Sequence, residues 1–355
     1  MSQKILVLVV AILAVIAAVV LLLQTQPSPQ TPTPTTPPTT PVQTPTPSPA
    51  PSPTPPAYKF IIYTGGTGGT YYPVGTKLRE LVNKYASPMS ADVRTSGASV
   101  ANANALAAGD GNLAFIQNDI AYYAYHGLYM FEGRKIGLAG VLSLYPETIQ
   151  IVVLANSPIK SVYDLAGRKV AVGATGSGTA VNAEQILKAA GVWDRVEKVY
   201  AAFTEAAQML KLRQVDAAFV VAGYPTSAVV ELATTTPVRL VEIPDEVYQK
   251  LRQEGYLFFV RQTVPKGTYN GLDSDVKTLA VMAILVVRSD VPEDAVYHFL
   301  KTIDTNLAEF RNAHARVSNF AIENALEGMS IPLHPGAVRF YREKGITIPS
   351  ELLPR

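Results

Sequence analysis

Two stretches combine glycine with hydroxyl side chains: "TGGTGGTYYPVG" at 64–75 and "GATGSGT" at 173–179. Each follows a short apolar, β-rich run, "YKFIIY" in one and "RKVAVG" in the other. Each then leads into apolar residues at helical spacing: Leu78, Leu81 and Val82 in the first, Ile186, Leu187 and Ala190 in the second. Backbone N–H groups at a helix start attract anions, and Thr and Ser hydroxyls add donors. Such a terminus contributes about 0.3–1 kcal/mol when exposed and up to ~2 kcal/mol when partly buried. Neither loop contains Lys or Arg. Two facing loops would therefore hold a small carboxylate through hydroxyls and backbone N–H groups, some through water, rather than through an arginine fork.

Other chemistries fit less well. A phosphate-binding G-x-x-x-x-G-K-[ST] loop needs a lysine that both stretches lack. The dinucleotide pattern G-x-G-x-x-G starts at Gly66 and Gly68 but meets Tyr71 where the last glycine belongs. His126, His298, His314 and His334 sit in unrelated contexts, without H-x-x-x-H or H-E-x-x-H spacing, so no metal site is expected. Ser177 lies outside G-x-S-x-G and reads as a donor rather than a nucleophile. Tyr71 and Tyr72, directly after the first loop, read as pocket walls.

The elements that must position these loops come in two similar sets. After each glycine loop and its helix follows a short helix, a polar turn and an apolar strand: "SVANANALAAGDGNLAFIQND" and "FTEAAQMLKLRQVDAAFVVAGYPT". Strands alternating with helices predict parallel α/β sheets, and two copies predict two α/β lobes. In open α/β sheets ligands sit beyond the carboxyl ends of the strands, where these loops lie. "LAVMAILVVRSD" is expected to be a strand, and "VPEDAVYHFLKTIDTNLAEFRNAH" a helix with Pro292, Glu293 and Asp294 at its start, returning the chain to the first lobe.

In the chain of 355 residues, Met1 to Lys4 are followed by 19 apolar residues free of charge, Ile5 to Leu23. At about 1.5 Å per residue this run covers the hydrocarbon thickness of a bilayer, and it ends without a small-x-small cleavage site. It is expected to be an uncleaved anchor, with the remainder of the protein outside the cell. Gln24–Ala57 contains 14 prolines in 34 residues, no charge and almost nothing to bury. It reads as an extended, disordered stalk. A net charge of +2 gives no electrostatic support for a nucleic-acid partner. The absence of cysteine excludes disulfides, thiolate metal sites and a lipid-modified cysteine.

"TGGTGGTYYPVG", "GNLAFIQNDIAYYA", "LYPETIQIVV", "VAVGATGSGTAVNAEQIL", "DAAFVVAGYPT", "PKGTY" and "ENALEGMSIPLHPGAVRFYRE" follow one another in this order. Together they resemble the TAXI family, the solute-binding receptors of one class of TRAP transporters, over nearly all of residues 58–345. The resemblance implies a type II periplasmic-binding-protein fold, two α/β lobes with a ligand cleft between them. Lobe 1 would comprise 58–144 and 263–355, and lobe 2 residues 145–262. It further implies capture of a small organic acid, glutamate-like or a dicarboxylate, and delivery to an ion-gradient-driven membrane permease, with no cofactor, no metal and no enzymatic step.

Carried over by position, the implied first-lobe contacts are Gly68, Thr70, Tyr71, Tyr72, Ser99, Asn102 and Gln117. The second-lobe contacts are Ser177, Gly178, Thr179, Gly223, Pro225 and Thr226, with Tyr145 and Glu147 near the lobe crossing. The chain departs from the family where "GSVEN" becomes "ASVAN", with Ala101 for an acid, and where Ala180 replaces the acid after "GSGT". Both changes remove negative charge near helix starts and favour a more anionic ligand. Two rival functions fit the same fold. One is a surface sensory or adhesive domain without transport. The other is an enzyme acting on a small acid, which would need an acid–base pair that the sequence does not display.

Overall fold

The computed structural model describes residues 54–354. The expected anchor at 5–23 and nearly all of the expected stalk lie outside the described residues. Among the described residues no helix is long and apolar enough to cross a membrane.

The chain enters through β1 (Lys59–Tyr63), whose alternating burial turns Phe60 and Ile62 inward. The first glycine loop leads into α1 (Tyr71–Tyr85), which buries Val74, Leu78, Leu81 and Val82 along one face. β2 (Ser90–Arg94) pairs in parallel with β1, and α2 (Ser99–Ala108) then leads to β3 (Leu113–Gln117), also parallel to β1. α3 (Asn118–His126) precedes β4 (Leu138–Leu154), a strand of 17 residues. β5 (Lys169–Gly173), the second glycine loop and α4 (Gly178–Ala189) repeat the opening plan. β6 (Glu197–Tyr200), α5 (Phe203–Lys211) and β7 (Ala217–Ala222) follow, and then α6 (Ser227–Thr235), β8 (Val238–Val241), α7 (Asp245–Gln253) and β9 (Val260–Val264). The chain returns through β10 (Val276–Arg288), 13 residues long. It ends in α8 (Glu293–Thr305), α9 (Leu307–Arg311) and α10 (Pro335–Glu343).

The strands lie in the order β2-β1-β3-β10-β4-β7-β5-β6, with β8 also on β4 and β9 on β10. The outer pairs are parallel, as the alternation of strands and helices predicts. The two long strands are not: β10 runs antiparallel to β3 and β4, and β4 antiparallel to β7. The α/β fold is therefore built on a mixed sheet. Both long strands are buried almost throughout, so they lack the alternation from which direction and partner could be inferred.

These strands also pass between two sets of apolar side chains. Leu138–Tyr145 of β4 and Ala283–Val287 of β10 belong to a core shared with α1, α3, α8 and α10. From Ile149 in β4 and up to Val281 in β10, the side chains instead join the clusters around β5, β7 and α4 to α7. The chain thus has two halves joined through β4 and β10. As expected, α8 opens after Pro292 with Glu293 and Asp294 in its first turn. It stops at Asn306, and α9 carries the remainder of that segment.

Candidate functional site

Both glycine loops open onto one cavity of about 410 Å³. From the first half come Gly65 to Tyr71, and from the second Ser177, Gly178 and Thr179. Ser177 is the N-cap of α4, its Oγ accepting the Ala180 N–H at 3.0 Å. The N–H groups of Gly178 and Thr179, in the first turn, have no acceptor inside the helix and stand at the cavity wall. The glycine at 178 leaves room for Gln117, since an added Cβ would lie 1.8 Å from its Oε1. That contact brings the end of β3 against the start of α4.

The polar end of the cavity is built by Gln117, Tyr145 and Glu147. Glu147 is 2 % exposed, and its Oε2 accepts from Gln117 Nε2 at 3.1 Å. Its Oε1, Gln117 Oε1 and the Tyr145 hydroxyl are all buried without a hydrogen-bond partner among the described residues. Native interiors satisfy most such atoms, and these three belong to residues that line the cavity. Burial lifts the Glu147 carboxyl to about 8. Burial first, and then the neighbouring Glu147, push the Tyr71 and Tyr145 hydroxyls upward. Glu147 and Glu205 are the charged residues of the lining, which includes neither Lys nor Arg.

Hydrogen bonds between the halves close the cavity. Thr70 Oγ1 donates to the Gly223 carbonyl at 2.9 Å, and the Ala228 N–H to the Gly68 carbonyl at 3.1 Å. The Ala101 N–H donates to the Gly176 carbonyl at 3.0 Å. Farther in, Asn182 Nδ2 donates to the buried Asp119 carboxylate at 2.8 Å. Burial raises Asp119 to about 6, against the pull of that hydrogen bond.

Ten of the fifteen residues expected from the sequence line this cavity: Gly68, Thr70, Tyr71, Ser99, Gln117, Tyr145, Glu147, Ser177, Gly178 and Thr179. Five do not. Tyr72 is half-buried one position further round α1, and the helical twist turns it away from the lining. Asn102 is fully buried beneath the loop, its Nδ2 donating to the Thr64 and Phe115 carbonyls at 3.0 and 2.7 Å. Gly223 supplies the carbonyl to which Thr70 and Thr226 donate. Thr226 belongs to a buried network with Gln150 and Tyr269, and the Pro225 carbonyl lies 3.2 Å from His314 Nε2. These positions brace the site from outside. Conversely, Phe203, Thr204, Glu205 and Gln208 at the start of α5 line the cavity and were not foreseen. Their stretch has no glycine, and its N-cap is Ala202, which offers no capping side chain. A helix start facing the same way as the glycine loops was the only signal there.

The NMT1-like family matches residues 62–345. Among solved structures, the periplasmic binding protein BugD aligns over 82% of this chain and 99% of its own, with 14% identity and a TM-score of 0.53. A protein described as a periplasmic transporter aligns over 74% of this chain and 88% of its own, with 12% identity and a TM-score of 0.50. The alkanesulfonate-binding protein SsuA from Xanthomonas axonopodis pv. citri aligns over 82% and 81% of the two chains, with 14% identity and a TM-score of 0.41. The first two likenesses show that the fold is that of periplasmic binding proteins.

Proposed function

We propose that this chain, which belongs to the NMT1-like family, is an extracytoplasmic solute-binding receptor that captures a small organic acid in the cavity and delivers it to a membrane permease. The observation that carries this reading is the cavity itself. Two helix starts face it, hydroxyls line it, and three buried polar atoms at one end have no partner among the described residues. A volume of about 410 Å³ suits a small metabolite. The structural neighbours, one described as a periplasmic binding protein and one as a periplasmic transporter, support solute capture. The finer proposal is a TAXI-type receptor of a TRAP transporter, with two lobes of the type II class. Its anchor would be residues 5–23 and its stalk 24–57, placing it at the cell surface. We propose no enzymatic step, because the Ser177 oxygen is engaged as a helix cap and no histidine belongs to the lining.

Titration of the protein against succinate, L-malate and L-glutamate tests this reading. Binding of at least one acid is expected, with release of the bound acid from the open form. Because donors from both halves meet at the cavity, the acid should hold the halves together. The radius of gyration should fall on binding. Stability should rise by about 2.7 kcal/mol at 100 times the dissociation constant. An unchanged scattering profile at saturation would count against closure.

The donors themselves can be tested separately. Thr179→Val removes a hydroxyl from the cavity wall and keeps the shape. A hydrogen bond to a charged group contributes about 1.5–3 kcal/mol, so binding should weaken roughly tenfold to a hundredfold. Arg261→Gln serves as the contrast. Arg261 is paired with Asp245 at 2.7 Å on the surface and should not affect binding. Loss of binding in that variant alone would return the charge to an arginine.

A further inference from the structure

We propose that Glu147 binds its ligand as a neutral carboxylic acid, donating a hydrogen bond to the carboxylate of the acid, so that the receptor takes up a proton as it closes. The inference rests on the small-acid reading above. Its geometry is specific. Glu147 lies in β4 opposite Val281 of β10, at 2 % exposure, with no lysine or arginine in the lining to balance a charge. Its Oε2 already accepts from Gln117 Nε2, which suits the carbonyl oxygen of a neutral acid. Its Oε1 is buried and has no hydrogen-bond partner among the described residues, and Glu147 belongs to the cavity lining. In a neutral acid that oxygen carries the proton and needs an acceptor. A ligand carboxylate provides one, and the α4 helix start stands ready to share its charge.

The groups around Glu147 agree. The nearby Tyr71 hydroxyl of α1 and Gln117 favour its ionisation, while Asp119 of α3 opposes it. Arg316 acts on the neighbouring Tyr145, and its guanidinium stacks on the Tyr224 ring at 4.5 Å. Burial outweighs the hydrogen bonds and raises Glu147 to about 8. In water a glutamate titrates near 4.3. The closed form therefore prefers the protonated acid. That preference is fully present below the ordinary value and is lost as pH rises through about 8. Of the nearby groups, the buried Asp119 is raised only to about 6 and the part-buried His314 is depressed by burial, so both lie below Glu147.

The test uses the full-length protein and whichever of succinate, L-malate and L-glutamate binds, all with ionised carboxylates in this range. From pH 6.5 to 8.5 the wild-type affinity is expected to fall at least tenfold. The ratio of Glu147→Gln to wild-type affinity should rise at least tenfold over the same range. Heats measured in two buffers of different ionisation enthalpy should show proton uptake by the wild type, a reading that needs no variant. A flat or rising wild-type profile, or an equal slope in the variant, would overturn the proposal. If none of the three acids binds, the small-acid reading fails by itself. Glu147 is then judged by melting. A wild type that loses melting temperature relative to Glu147→Gln between pH 6.5 and 8.5 supports the neutral acid, and parallel curves overturn it.

Discussion

Gly178→Val is expected to abolish acid binding and leave a cooperatively folding protein. A Cβ at this position would lie 1.8 Å from Gln117 Oε1 and 2.5 Å from its Cδ. The obstacle is the end of a side chain rather than backbone, so Gln117 can swing away and the fold survives. The site does not. Displaced, Gln117 no longer donates to Glu147, and the valine occupies space where the ligand would approach the α4 helix start. Affinity should fall at least a hundredfold, about 3 kcal/mol. Val230→Ala supplies the comparison, since Val230 is exposed on α6 and lies outside the cavity lining. It should bind within a few-fold of the wild type. Titration of both variants checks the contrast, and wild-type affinity in Gly178→Val would remove the cavity from consideration as the binding site.

This glycine was visible in the sequence for a physical reason. A strand, a run of small residues and a helical period are all local, so both loops and both helices could be placed from the pattern alone. Ser177, Gly178 and Thr179 line the cavity. What escaped was set by long-range contacts. Gly223 and Thr226 looked like another loop site, but their partners come from elsewhere: Thr70 in one case, Gln150 and Tyr269 in the other. The start of α5 carries no marker of its own and joins the site only because the halves meet. Likewise β4 and β10 are apolar without alternation, so no local rule discloses their direction or their passage through both halves.

The largest effect on stability is expected from Gly336→Val. In the second residue of α10, a Cβ would lie 2.2 Å from the Glu293 carbonyl oxygen and 2.9 Å from the Tyr297 nitrogen. Both are backbone atoms of α8, and neither can rotate aside. The helices would have to separate, disturbing the stacking of Arg339 on Tyr297 and its ion pair with Asp294 at 2.7 Å. Overpacking of this kind costs about 3 kcal/mol or more. At roughly 2–4 °C per kcal/mol the melting temperature should fall by about 6–12 °C. Neither α8 nor α10 contributes to the cavity lining, so acid affinity measured well below the transition should remain near that of the wild type. A melting curve matching the wild type would mean that the two helices part more freely than their packing indicates.

The shared strands also dictate an order of assembly during synthesis. The second half is drawn from one continuous stretch, Ile149 to Val281, and can collapse as soon as that stretch has emerged. The first half cannot. Its sheet holds β10 between β3 and β4, and about 140 residues separate Tyr145 from Ala283. At translation speeds of roughly 5–20 residues per second, the nascent first half waits on the order of 10 s with that slot unfilled. Throughout that interval the facing edges of β3 and β4 offer unpaired N–H and C=O groups to any neighbouring strand. The vulnerable moment of this protein's life therefore falls before β10 emerges, and its middle matures before its beginning.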